Sequence, residues 1–109
     1  MYQGTNPALL LKVPGKDLTG CKVFVSFKTG TRVTTKTGDD LTVTLENEDT
    51  EVLCWLTQED TLAMSEGEGE VQIRYITDEN QARATQKKPI TIKSVIYKKV
   101  IEYGGGEEE

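Results

Sequence analysis

The chain has 109 residues, 36% of them hydrophobic and 28% charged, with a net charge of −5, which is the size of one small domain. No apolar run approaches the ~18 residues of a membrane-spanning helix, and aromatic and basic residues are too few for an obvious nucleic-acid platform. The chain has no histidine, which removes His-ligated metals, a Ser-His triad and an imidazole base.

Val, Ile and Thr together number 30, against 15 for Ala, Leu and Met. That excess of β-branched residues favours strands. Ala8 to Val13 is an apolar run stopped by Pro14-Gly15 and reads as a first strand. Cys21 to Lys28 alternates, with Val23, Val25 and Phe27 on one face and Lys22, Ser26 and Lys28 on the other. Phe24 breaks the polar face, as expected for a residue covering an edge or an interface. Thr29-Gly30-Thr31 is a hairpin signal leading into Arg32 to Thr37. Gly38-Asp39-Asp40 is the next turn, Leu41, Val43 and Leu45 alternate again, and Glu46 to Asp49 is an acidic loop. Glu51 to Leu56 has hydrophobes on both faces, which suits a central strand. Trp55 belongs to this run and is expected in the core.

Thr57-Gln58-Glu59-Asp60 departs from strand chemistry. Thr57 can cap a helical turn, with Asp60 at the reciprocal position and two acids in the first turn. One or two helical turns are expected over residues 58–64, crossing between sheets, with Leu62 plugging the end of the core. Glu66 to Gly69 reads as an exposed acidic loop and Val71 to Ile76 as a strand. Gln81 to Lys87 reads as a strand with a wet face. Pro89 to Val95 is a further strand, interrupted or ended at Ser94. Ile96 to Tyr103 continues as an extended apolar-basic segment. Seven or eight short strands at this spacing predict a two-sheet sandwich or small barrel in one domain over residues 1–103. The expected core is Val23, Val25, Phe27, Leu41, Val43, Val52, Cys54, Leu62, Val71, Ile73, Ile90 and Ile92.

Little of the remaining chemistry is specific. Cys21 and Cys54 both share parity with apolar neighbours and read as buried free thiols; a bridge between sheets is the alternative, and no base is present to activate either. The clusters Asp39-Asp40, Glu46-Glu48-Asp49-Glu51 and Glu66-Glu68-Glu70 lack EF-hand spacing and read as solvated charge rather than a weak cation site. Lys87-Lys88 and Lys98-Lys99 read as strand-edge lysines. Gly104-Gly105-Gly106 followed by Glu107, Glu108 and Glu109 predicts a flexible solvated tail over 104–109. The opening residues have neither the basic segment nor the apolar core of a signal peptide, so residence in the cytoplasm, or in something assembled there, is expected. No cofactor, metal or catalytic residue is expected.

Three segments carry a resemblance. Gln3-Gly4-Thr5-Asn6-Pro7 precedes the first strand, Leu56-Thr57-Gln58-Glu59-Asp60-Thr61-Leu62 follows the Trp-containing strand, and Val71-Gln72-Ile73-Arg74-Tyr75 comes after a Gly-Glu loop. In this order the chain resembles small structural proteins of phages and prophages of Gram-positive bacteria. It is also similar to the immunoglobulin-like β-sandwich at the N-terminus of phage upper-baseplate proteins. The resemblance implies an all-β, immunoglobulin-like sandwich and a non-enzymatic, tail- or baseplate-associated component of the virion, assembled in the bacterial cytoplasm. The chain departs from a full baseplate protein in ending right after the sandwich, so a receptor-binding or coiled-coil extension that grips the host wall directly is not expected.

The expected partners are other virion proteins or further copies of the chain, in a homo-oligomer, with neither nucleic acid nor membrane involved. A sandwich of this length has open edges, and open edges pair with other chains. Tyr97, Ile101 and Tyr103 form the candidate interface, a contact stripe at strand periodicity. A free-standing carbohydrate- or ligand-binding sandwich is the alternative, for which one Trp and four Tyr offer few platforms.

Overall fold

A computed structural model describes residues 1–103; the expected Gly/Glu tail, 104–109, lies outside them. Among the described residues the chain forms strands β1 (Ala8–Val13), β2 (Lys22–Thr29), β3 (Arg32–Thr37), β4 (Leu41–Glu46) and β5 (Asp49–Trp55). A short helix α1 (Gln58–Leu62) then leads to β6 (Gly67–Ile76), β7 (Ala82–Ala84) and β8 (Lys88–Ile92). One sheet has the order β1-β5-β4. The other has the order β3-β2-β6, with β7 and β8 both paired to β6. All of these pairings are antiparallel. The expected all-β, two-sheet sandwich is therefore what the structure shows, and its two-sided strand β5 is central in its sheet.

Turn chemistry fixes the hairpins. Gly30-Thr31 joins β2 to β3 with Gly30 at φ +62, and Asn47-Glu48 joins β4 to β5 with Asn47 at φ 59. The register then places Val23 opposite Tyr75, Val25 opposite Ile73 and Phe27 opposite Val71. These six side chains are buried, and against them pack Val13, Leu18, Val52, Cys54, Leu56, Met64 and Ile92. Leu41, Val43 and Ile90, expected in the core, are half-buried and pack on its margin.

α1 forms as its cap predicts. The Thr57 hydroxyl accepts from the Asp60 N–H at 3.0 Å, and the Asp60 carboxylate accepts from the Thr57 N–H at 2.8 Å. Its role in the core differs from expectation. Leu62 is only half-buried, and the side chains turned inward here are Thr61 and Met64. The helix ends at Leu62, so the chain turns before Met64 and swings it, rather than Leu62, beneath the sheets. Leu62 lies against Gly4, where an added Cβ would sit 3.4 Å from Leu62 Cδ2; Gly4 has φ +73, a conformation that favours glycine.

Two expected loop and strand boundaries move. Gly67 and Gly69 do not lie in a loop but open β6. Gly69 pairs with both Thr29 and Ile90, and a Cβ there would lie 2.6 Å from the Lys28 carbonyl oxygen, so the strands close only over glycine. Of Gln81 to Lys87, only Ala82–Ala84 forms a strand. Ala82, Arg83 and Ala84 are all exposed and bury nothing, and backbone pairing to Arg74, Tyr75 and Ile76 joins them to the sheet.

Candidate functional site

The residues singled out from the sequence, Tyr97, Ile101 and Tyr103, all face solvent, with 62%, 61% and 106% relative exposure. They do not form a strand face. β8 ends at Ile92, opposite Gly67, the first residue of β6. Beyond that point Lys93 alone is bridged, in parallel to Tyr2 of the N-terminal segment, and no strand runs beside residues 96–103 to impose period-two alternation. Ile96 and Val100 are exposed as well, which leaves five large apolar side chains on one C-terminal arm.

The arm is held at its root by polar contacts. The Lys98 ammonium donates to Gln3 Oε1 at 2.7 Å, and Gln3 Nε2 donates to the Met64 carbonyl at 2.7 Å. Further along, the Gln58 amide donates to the Ile101 carbonyl and accepts from the Ile101 N–H, both at 2.8 Å. That pair of bonds mimics the exchange between two residues of an antiparallel ladder.

A second apolar surface was not foreseen. On the outer face of the three-stranded sheet, Ala8 lies opposite Trp55 and Leu10 opposite Leu53. Leu10 is 60% exposed and Trp55 49%, so Trp55 is outside the core, contrary to expectation. The reason is parity: Val52 and Cys54 point inward, which turns Leu53 and Trp55 outward. Two-sided apolarity in β5 was legible, as was the burial of Val52 and Cys54; the exposure of Trp55 on the opposite face was not. The patch is bounded by Lys12 and Glu51, paired at 3.8 Å.

The same sheet ends at an open edge. β1 has β5 on one side only. Next to it, between β1 and the β7–β8 edge of the other sheet, lies a cleft of about 430 Å³. Its floor is apolar, with Leu11, Val13, Val71, Ile73 and Tyr75, and Lys12, Lys16, Lys88, Gln72 and Gln86 also line it. No acidic side chain lines it, and Lys16 and Lys88 have no acidic partner among the described residues. It opens because β7 and β8 share one side of β6 and leave residues 85–87 between them outside any strand.

The titratable groups serve the fold. Lys36 reaches from β3 to Asp60 at 2.8 Å and to Asp40 at 3.4 Å. Its hydrogen bond to Asp60 raises the Lys36 pKa despite burial. Burial pushes Asp60 up, but the bonds from Lys36 and Thr57 outweigh it and hold the carboxyl below its ordinary value. Cys54 is buried and free, and burial pushes its thiol up to about 11, the nearby Lys36 opposing. Cys21 is also free but only half-buried, lining a separate cleft with Leu41 and Val43.

The acidic clusters do not converge. Glu68 accepts from the Thr91 hydroxyl and Glu70 faces Lys87, and no group of three or more metal-ligating side chains occurs among the described residues. No helix among them is long and apolar enough to cross a membrane. No protein-family model, curated protein or solved structure matches the chain.

Proposed function

We propose that the chain is a non-enzymatic docking module that works by self-association or by binding another protein of an assembled particle. The observation that carries this reading is the exposed C-terminal arm, with Ile96, Tyr97, Val100, Ile101 and Tyr103 all in solvent. Five large apolar side chains on one short segment are covered in most soluble folds, and a contiguous exposed apolar surface marks an interaction site. The outer patch of Leu10 and Trp55 and the open edge of β1 add to it. The segments that resemble phage structural proteins make the particle a virion, and the tail or baseplate its expected part.

Two of those three segments have structural work of their own. Thr61 binds the N-terminal residues to α1, its hydroxyl donating to the Thr5 carbonyl at 2.7 Å and accepting from the Thr5 N–H at 3.1 Å, and Gln3 binds them to Met64 just beyond the helix. They hold the sandwich closed where the arm leaves it, which suits a module whose ends meet partners.

Light scattering on the wild type and on Tyr97→Asp/Ile101→Asp tests the reading. The wild type is expected as an oligomer, or in complex with a co-expressed virion protein, and the folded double variant as a monomer. A wild type that stays monomeric at high concentration and binds no such protein overturns it. Capsid, tail and holin genes beside its own are the expected genetic setting. One feature favours the alternative of a ligand-binding sandwich. The cleft beside β1 has the volume of a small-molecule site, with polar groups around an apolar floor.

A further inference from the structure

We propose that the C-terminal arm of one copy enters the cleft beside β1 of a second copy and adds to that sheet as a strand, joining the copies head to tail. The proposal rests on the reading of the chain as a self-associating module and names the two surfaces that meet.

The cleft asks for an extended segment. One wall is β1, whose side away from β5 is unpaired. In an antiparallel edge strand, every second residue turns its N–H and C=O outward, and another extended chain satisfies them. The floor offers apolar surface at Leu11, Val13 and Ile73. The cationic residues along it are Lys12, Lys16 and Lys88, and only Lys12 has an acidic partner among the described residues. The matching occupant is an extended chain with apolar side chains on one face and acidic residues beside them.

Lys98 and Lys99 lie toward the root of the arm, where Lys98 is bound to Gln3, and the end of the arm beyond them has that chemistry. Ile101 and Tyr103 alternate with Glu102, and Glu107, Glu108 and Glu109 follow in the sequence. Tyr103 is fully exposed and Ile101 largely so, and the arm pairs with no strand of its own sandwich. The Gln58 amide already binds both backbone groups of Ile101, and those bonds are exposed to solvent. Exchanging exposed bonds for ladder bonds costs little.

The placement of the two surfaces favours a second copy over the arm's own cleft. The arm is rooted at Gln3 and Gln58, beside the start of β1, where the Leu56 N–H donates to the Pro7 carbonyl. The cleft runs along Leu11 to Lys16, at the other end of that strand. Arm and cleft are different surfaces, so the contact is heterologous, and repeated it closes a ring or extends a filament.

Two full-length variants test this by complementation. Ile101→Asp/Tyr103→Asp spoils the arm and keeps the cleft. Ala84→Trp/Lys16→Glu fills and recharges the cleft and keeps the arm; Lys16→Glu/Lys88→Glu, at exposed positions only, serves if the first fails to fold. Circular dichroism checks each. By light scattering, wild type is expected above the 12.1 kDa chain mass and each variant alone at 12.1 kDa. Their equimolar mixture is expected at twice that mass, because one good arm meets one good cleft and nothing extends further. A mixture that stays monomeric beside an oligomeric wild type overturns the proposal and leaves self-association through another surface. An arm variant that remains oligomeric overturns it too. A monomeric wild type overturns arm exchange, and the docking reading then stands or falls on co-purification with a virion protein.

Discussion

Thr61, Thr50 and Gln3 show how single polar residues close this sandwich. Each is buried, and each has its polar atoms satisfied: the Thr50 hydroxyl donates to the Lys16 carbonyl at 2.6 Å and accepts from the Leu18 N–H at 2.9 Å. Such residues are invisible to apolar patterning, because their burial is decided by backbone groups far away in sequence. Apolar positions were legible where alternation was clean, as at Val23, Val25 and Phe27. They failed where a helix end set the direction, and Met64 rather than Leu62 fills the core there. Met64→Ala should therefore cost ~2–5 kcal/mol, as for a buried large-to-small change. Leu62→Ala should cost less than half as much, both read from urea denaturation. Equal losses would return Leu62 to the core. The cysteines divide in the same way. Cys54, buried with its thiol pushed up to about 11, should react with a thiol reagent only in denaturant. Half-buried Cys21 should label measurably faster in the folded protein. Equal protection, or faster labelling of Cys54, would contradict this packing.

Among the elements, α1 was the most completely legible. Its capping box is written in four consecutive residues, and local chemistry decides it. What the sequence could not reveal is that Asp60 serves twice, in the box and as the partner of Lys36 on β3. The second role ties the crossover to the opposite sheet and gives a pH signature. Asp60 has a folded pKa below its ordinary 3.8, so its stabilisation is complete above 3.8 and is lost as the pH falls through the folded value. Lys36 has a folded pKa above 10.5, so its share is complete below 10.5 and is lost as the pH rises through its folded value. Asp60→Asn should lower stability on the neutral plateau and flatten the decline below pH 3.8, measured as urea midpoints across that range. An unchanged acid limb in the variant would remove Asp60 from the account. The strands were legible where side chains pack. The expected strand over Gln81 to Lys87 shortens to Ala82–Ala84, where β6 supplies a partner, and the arm's alternation meets no partner strand or buried face to stabilise it.

At the scale of the molecule, pairing order explains where docking surfaces arise. The three-stranded sheet leaves β1 at an edge and an apolar patch of Leu10, Leu53 and Trp55 on its outer face. In the second sheet β8 ends at Ile92 and backbone pairing ends one residue on, in the Lys93–Tyr2 bridge, after which the arm leaves the sheet. Neither surface follows from composition, since both depend on which strands neighbour one another. Tyr97, Ile101 and Tyr103 share a strand periodicity that the arm does not use, yet all three side chains are exposed. On this reading both surfaces are made for association. Sedimentation velocity of the full-length chain over a wide concentration series tests it most directly. The expected result is a mass above 12.1 kDa that falls toward that value on dilution. A single species of 12.1 kDa throughout the series would contradict self-association and leave docking to a different protein as the only form of the claim still standing.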